Sequence, residues 1–383
     1  MSDSQRFDVL IAGGGPAALE AALVLQRVVG DRVKTTILTP DEHFAHQPMS
    51  VLSPFGARGS DPQSLASLAS DAGAGLRRGT VASVDPASRE LRTGDGETIA
   101  YDALLIAVGG VQQLPYPRAL AFGRAGTDER MHGLIQDVEG GYVKRIAFIV
   151  APGVSWPLPL YELALMTAER AFGTCAHVEL TFVTPEESPL ALFGREASRD
   201  VAEMLDVAGI QLWTGAHPEI PERNVVELYP QGERLQVDRV VTLPTLAGPA
   251  IDGLPHDAAG FLPVDDHGRV TGAPGVYAAG DATDFAIKQG GIACQQADAA
   301  AEAIAASAGA AIEPAPFTPV LLAVLLTERE TRWLRRDLSR TGESGTPVLP
   351  PHEWPPTKIA GRELSRHLAH IPVHAIRCEV RPG

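Results

Sequence analysis

Apolar positions fall into short unbroken runs, each followed by small residues and then by a stretch of helical period. The first such unit is FDVLIAGGGPAALEAALVLQ, beginning at Phe7. Phe7 to Ala12 has the nearly continuous apolar character of a strand buried on both faces, and from Ala18 onward apolar residues recur with helical spacing. VKTTILTPDEHF predicts a second strand and YDALLIAVGG, ending at Gly110, a third. Strands alternating with helices predict an α/β protein with parallel sheets.

The pattern repeats. RIAFIVAPGVSWPLPLYELALM, residues 145 to 166, again runs from an apolar strand through a turn into a helix. VELTFVTPEESP then echoes VKTTILTPDEHF, and QGERLQVDRVVTLP echoes DGETIAYDALLIAVGG. The chain thus contains two copies of one nucleotide-binding plan, and they differ at the turn. The first turn reads G-x-G-x-x-A at Gly13, Gly15 and Ala18. Its first glycine permits a tight bend, its second lets backbone N–H groups approach a pyrophosphate, and its third small residue lets helix and strand pack closely. The helix N-terminus adds partial positive charge. The second copy has a lone Gly153, with Trp156 between prolines and Pro157 and Pro159 removing backbone donors. Two expectations stand for it: a degenerate site that no longer grips a diphosphate, or an unusual loop that still admits NAD(P)H. The position where a ribose-binding acid is expected after the second strand holds Thr39, with Asp41 and Glu42 just beyond.

Composition narrows the function. With 45% hydrophobic and 21% charged residues the 383-residue chain reads as ordinary globular protein, long enough for two or three domains. A net charge of -15 argues against nucleic acid as a partner. No apolar run approaches the ~18 residues of a membrane helix, and MSDSQRFDVL lacks a signal-peptide pattern, so a cytoplasmic location is expected. Cys175, Cys294 and Cys378 are widely spaced and form no C-x-x-C motif, which excludes a disulfide framework and leaves no metal site in view. From Thr327 onward ten Lys/Arg stand against seven Asp/Glu, a basic tail on an acidic body.

The stretch GVYAAGDATDFAIKQGGIACQQADAAAEAIA, from Gly275, resembles the second flavin-binding motif of the pyridine nucleotide-disulfide oxidoreductase superfamily. FAHQPMSVLSPFG, YELALM, FVTPEESPLALFG and WPPTKIAGRELSRHLA further resemble its sulfide:quinone reductase and type II NADH dehydrogenase branch. The resemblance implies two Rossmann-like dinucleotide-binding domains and a small C-terminal domain. The FAD domain is split between 1–110 and 246–314, the degenerate second domain occupies 111–245, and an interface domain 315–383. FAD is then expected on Gly13, Gly15, Pro16 and Ala18 of the first turn, on Thr39, and on Gln47 and Pro48 of the loop after it. Val81, Ala107 and Gly109 would contact it from the intermediate strands, Gly280 and Asp281 at the ribityl chain, and Gly291 and Ile292 at the head of the last long helix.

The departures from the family matter as much. No redox cysteine pair lies between Gly13 and Asp102, and only Cys294 falls near a flavin motif. GGIACQQ keeps Ala293 and Gln295 of a quinone signature, but Gly291 replaces its first glutamine. Three residues are candidates for chemistry, each with a plainer alternative. Cys294, in the first turn of a helix, is either a dipole-activated thiol or a packed core residue. Lys288 either places a charge by the flavin or is an exposed loop lysine. His46 either delivers protons or is merely exposed. The tail, with Ile359, Leu364, Leu368 and Ile371 on one face, either touches a membrane surface at its inner face or packs on its own domain or a second subunit. The expected function is an FAD-dependent oxidoreductase passing electrons from a small reduced donor of sulfide or thiol type to a quinone or other small acceptor. The alternatives are an NAD(P)H-dependent reductase and a non-catalytic flavin-binding module.

Overall fold

A computed structural model describes residues 6–56, 62–124, 126–329, 331–338 and 357–368. The chain opens with β1 (Phe7–Ala12), α1 (Pro16–Val28) and β2 (Val33–Thr39), followed by β3 (Gly75–Arg78) and β4 (Ala103–Ile106). It then builds a second unit from β5 (Leu120–Ala121), α2 (Thr127–Glu139), β6 (Arg145–Ile149), α3 (Leu158–Gly173), β7 (Glu179–Val183), α4 (Arg195–Val207), β8 (Ile210–Trp213) and β9 (Arg239–Thr242). Last come β10 (Val276–Ala278), α5 (Gly290–Ser307), the hairpin β11 (Val320–Leu326) and β12 (Thr331–Asp337), and the short α6 (Leu364–His367).

The two parallel five-stranded sheets share one plan. The first is ordered β10-β4-β1-β2-β3 and the second β5-β9-β6-β7-β8. In each, the strand before the turn is central and its next strand lies beside it, with Ala12 opposite Leu38 and Ile149 opposite Val183. The echo in sequence is therefore an echo in space. It reaches hydrogen bonds: the Asp41 N–H donates to Thr39 Oγ1 at 3.2 Å, and the Glu186 N–H to Thr184 Oγ1 at 3.2 Å. β10 returns from far along the chain to complete the first sheet, so that domain is discontinuous in sequence.

Helices α1 and α5 bind the halves of this domain together. Ala17, Ala18, Ala21 and Ala22 of one face a core shared with Ala293, Ala297, Ala300 and Ala301 of the other. Side chains this small let two helix backbones approach closely, so the alanine-rich composition of α5 reflects packing. Into the same core reach Ile359, Leu364 and Leu368, all essentially buried. These apolar tail residues pack on their own domain and are not free to enter a membrane surface; Ile371 and Cys378 lie outside the described residues.

Polar contacts fix that tail. Glu20, a buried acid in α1, accepts the backbone N–H groups of Glu363 and Leu364, each at 2.7 Å. Arg362 reaches Glu302 at 3.0 Å and Asp298 at 3.5 Å on α5. Together these place Lys358, a few residues earlier, against the centre of the molecule. Gln295 clamps the β11 hairpin, accepting the Val320 N–H at 2.9 Å and donating to its carbonyl at 2.8 Å. Among the described residues no helix is long and apolar enough to cross a membrane.

Candidate cofactor cleft and active site

One cavity of about 740 Å³ runs from the first glycine turn to the C-terminal hairpin. Its narrow end is the turn itself. Gly13 has φ +128°, and a Cβ there would stand 2.0 Å from the Ala107 carbonyl oxygen, so only glycine fits. A Cβ on Gly15 would meet no atom within 4 Å. The second glycine is thus not needed by the fold; it leaves open space at the head of α1, where a pyrophosphate is favoured. Ala18 does not line the cavity but is fully buried in the α1 packing, as the third small position requires.

Most of the expected cofactor positions converge here. Gly13, Gly15, Pro16, Thr39, Gln47, Pro48, Val81, Ala107, Gly109, Gly280 and Asp281 all line the cavity. Asp41 joins Thr39 on the cavity wall, whereas Glu42 is turned to Arg78. Gln296 on α5 holds the Gly280 turn, its Oε1 accepting the Gly280 N–H at 2.8 Å and its Nε2 donating to Thr283 Oγ1 at 3.1 Å. Asp281 is left facing the cavity, and its burial pushes its pKa up against the opposing charge of Lys288. The Asp281 carboxylate, half-buried and facing the cavity, offers acceptor oxygens to a hydroxyl-bearing ligand.

At the head of α5 the lining is offset from the expectation. Gly290 and Ala293 face the cavity, three residues apart on one side of the helix, and Gly291 and Ile292 do not. Gly291 is turned toward Ala360, and the Ile292 N–H is already satisfied by the side chain of Gln289 at 2.9 Å. Lys288 lines the cavity and is largely buried, which excludes the exposed-loop alternative. Its Nζ donates to the Thr283 carbonyl and stands 3.8 Å from the centre of the Phe261 ring. Burial lowers its pKa, offset by Asp281, Asp284 and Asp257.

Two candidates depart from their chemical readings. Cys294 is wholly buried on the α1 side of α5, its Sγ 3.8 Å from the Pro16 carbonyl. Burial, with Glu20 and Asp298 nearby, raises its thiol pKa well above the usual value, which overrides the helix-dipole lowering expected from position alone. His46 is buried rather than exposed, and neither ring nitrogen has a hydrogen-bond partner among the described residues. Burial, then the charge of Lys358, hold its imidazole down at about 4, so it is neutral at neutral pH.

The far end of the cavity is built by residues the sequence reading passed over. Glu162 of α3 and Lys358 of the tail both line it. Lys358 Nζ is 2.6 Å from Glu162 Oε1 and 2.9 Å from Oε2. Both are buried. Glu162 also accepts the Leu326 N–H at 2.8 Å, and its burial raises its pKa against the pull of Lys358. The signal was present: a glutamate inside the apolar run YELALM and a lone lysine in PPTKIAG are costly to bury unless paired.

The second turn contributes to this same cavity. Trp156, Leu158 and Pro159 form part of its wall, Trp156 standing edge-on to Phe193 at 6.0 Å between ring centres. Glu186, the counterpart of Asp41, is withdrawn: its Oε2 accepts the Tyr161 hydroxyl at 2.7 Å and the Thr184 hydroxyl at 3.0 Å.

The sequence profile of the pyridine nucleotide-disulphide oxidoreductases matches residues 7–142 and 162–302. The chain belongs to that family of flavoprotein oxidoreductases. The stretch between the matched parts, 143–161, holds Gly153, Trp156 and the two prolines. Among solved structures, the sulfide:quinone oxidoreductase of Aquifex aeolicus is similar, with TM-score 0.81 and 18% identity over 89% of this chain and 86% of that one. NDH2 of Plasmodium falciparum, solved with NADH, gives TM-score 0.60 and 13% identity over 73% of this chain and 65% of that one. A ferredoxin reductase of Rhodopseudomonas palustris gives TM-score 0.62 and 18% identity over 86% and 88%. At these identities the likeness is one of fold. No curated protein sequence matches the chain.

Proposed function

We propose that this protein is an FAD-dependent oxidoreductase that takes electrons from a small reduced sulfur donor and passes them to a quinone. Overall, two thiols and a quinone would give a disulfide and a quinol, which balances two electrons and two protons. The observation that carries this reading is the joining of two features in one cavity, the dinucleotide cradle from Gly13 to Asp281 and the buried Glu162–Lys358 pair at its other end. FAD, when bound, would supply the two-electron chemistry, and the protein then contributes binding, orientation and electrostatics.

The residues divide that work. Gly15 and the head of α1 leave room and positive potential for the pyrophosphate, and Asp41 and Asp281 offer acceptors for sugar and ribityl hydroxyls. Lys288 and the N-terminus of α5 favour negative charge at the other side of the cleft, the helix end by roughly 0.3–2 kcal/mol. Glu162, whose pKa burial raises, is suited to carry a proton to an acceptor oxygen, and Lys358 is suited to hold developing negative charge there. No described cysteine lines the cavity, so the donor would deliver its electrons without a protein disulfide. The position of Trp156 and the engagement of Glu186 speak against a pyridine nucleotide as donor. The test is an absorbance spectrum of the purified protein followed by anaerobic mixing with sulfide, small thiols, NADH and NADPH. Yellow protein bleached by sulfur donors and reoxidised by a short-chain quinone supports the reading. Colourless protein indifferent to FAD, or prompt bleaching by NADH alone, overturns it.

A further inference from the structure

A second cavity, of about 480 Å³, opens in the second unit at the end of the sheet remote from the cofactor cleft. Its place is fixed by β9. Arg239 at the start of that strand lines this cavity, while Leu243, just past its end, lines the cofactor cleft. At about 3.3 Å per residue the two sites are separated by roughly 13 Å of strand.

Four arginines converge on it from four separate segments. Arg118 precedes β5, Arg130 lies in the first turn of α2, Arg223 sits in the loop before Asn224, and Arg239 heads β9. Against them the lining carries two carboxylates, Asp137 and Asp238. Asp238 is engaged elsewhere, accepting the Lys144 and Arg145 N–H groups at 3.0 Å each and the Arg145 guanidinium at 3.3 Å. Asp137 stands 3.9 Å from Arg239. Backbone carbonyls steady two of the arginines: Arg118 donates to that of Pro221 at 3.2 Å and Arg239 to that of Asp238 at 2.9 Å. Each guanidinium has five N–H donors, so most remain available. Among the described residues, Arg130 and Arg223 have no hydrogen-bond or ion-pair partner.

We propose that this cleft binds a small polyanion carrying two or more phosphate or carboxylate groups. The chain as a whole is strongly acidic, at -15, so four arginines gathered in one concavity run against its general charge. Four arginines against two carboxylates leave an excess of positive charge in the cleft, and an anion bridging the guanidinium groups relieves their mutual repulsion. Planar guanidinium groups match the paired oxygens of phosphate and carboxylate. The volume falls in the range of small-molecule sites, and a concave wall drawn from four segments suits a compact ligand.

The experiment is calorimetric titration of the full chain with pyrophosphate and, separately, with citrate, at constant ionic strength. Saturating FAD is present so that the Gly15 turn is not the site being read. The expected result is saturable binding of at least one of them, weakened at least about tenfold in the Arg130→Gln/Arg223→Gln double variant. An Arg199→Gln control, on α4 and outside the cleft, should bind as the unaltered chain does. Tighter binding of pyrophosphate assigns the site to phosphorylated ligands, and tighter binding of citrate to polycarboxylates. The replaced side chains are exposed, so a thermal melt should show both variants folded. Absence of saturable binding by either anion, or equal affinity in the double variant, overturns the proposal. Because the readout needs no turnover, its failure is separate from any failure of the oxidoreductase reading.

Discussion

Lys358 grips both carboxylate oxygens of Glu162, at 2.6 and 2.9 Å, across 196 residues of sequence. With the Leu326 N–H on the same carboxylate, one buried acid ties α3, the β11 hairpin and the C-terminal tail to the wall of the cofactor cleft. Two long charged side chains are removed from water here, so the pair itself adds little net stability, but breaking it from one side leaves an unpaired buried charge.

Lys358→Met should therefore destabilise the protein by about 3–5 kcal/mol, and adding Glu162→Gln should restore part of that loss, because the neutral amide still accepts the Leu326 N–H. Urea unfolding of both variants checks the order. For activity, Glu162→Gln should slow reoxidation by quinone at least about tenfold while leaving reduction by the donor unchanged. Stopped-flow measurement of the two half-reactions separates them. Equal slowing of both would remove the acid from its assigned role.

The two glycines of the first turn should fail differently. Gly13→Ala forces a Cβ to 2.0 Å from a carbonyl oxygen in a left-handed backbone, and should unfold or strongly destabilise the domain. Gly15→Ala adds a Cβ that meets no atom within 4 Å, so its stability without FAD should change by no more than the roughly 1 kcal/mol of losing glycine at a helix N-cap. Its FAD affinity should nevertheless fall by at least about tenfold. Thermal melts with and without FAD report both quantities.

Cys294→Ala should leave the rate of reduction by sulfide or thiols within about twofold, because its thiol faces α1 in a closed core and its pKa is raised, not lowered. A stability loss of about 1–2 kcal/mol is expected from the small void. A rate that collapses in a folded, FAD-loaded variant would restore the thiol to the chemistry.

What was readable in the chain followed from local rules. The glycine turn, the strand-forming runs and the GD turn at Gly280 declare themselves because each depends on neighbours in sequence. Their repetition also foretold two sheets of one plan. The Glu162–Lys358 pair is not legible locally: each half stands in an apolar or proline-rich run that asks for a partner, but the partner lies 196 residues away. Gly291 and Ile292 stand just off the cavity wall that Gly290 and Ala293 form, an offset of a fraction of a helical turn that depends on Gln289 capping Ile292. The burial of His46 is not legible from its place in a loop, because the segment that follows it packs on α2 and α3, helices far along the chain.

His46 gives the protein a predictable sensitivity to acid. Its pKa is about 4 in the folded chain against 6.5 as the reference value, so between these limits only the unfolded chain takes up the proton. The contribution is complete above pH 6.5, is lost as pH falls toward 4, and changes no further below that. A shift of this size corresponds to about 3 kcal/mol, most of which should be lost on going from about pH 7.5 to about pH 4.5. His46→Phe, which keeps an aromatic ring beside Phe44, should lack this component. Denaturant unfolding of the two proteins at both pH values gives the difference directly. Since Lys358 is one cause of the lowered pKa, Lys358→Met should also move the His46 transition to higher pH, which proton NMR of the imidazole can follow. Parallel pH profiles for His46→Phe and the unaltered chain would mean that the imidazole is hydrated or hydrogen-bonded in solution and does not resist protonation.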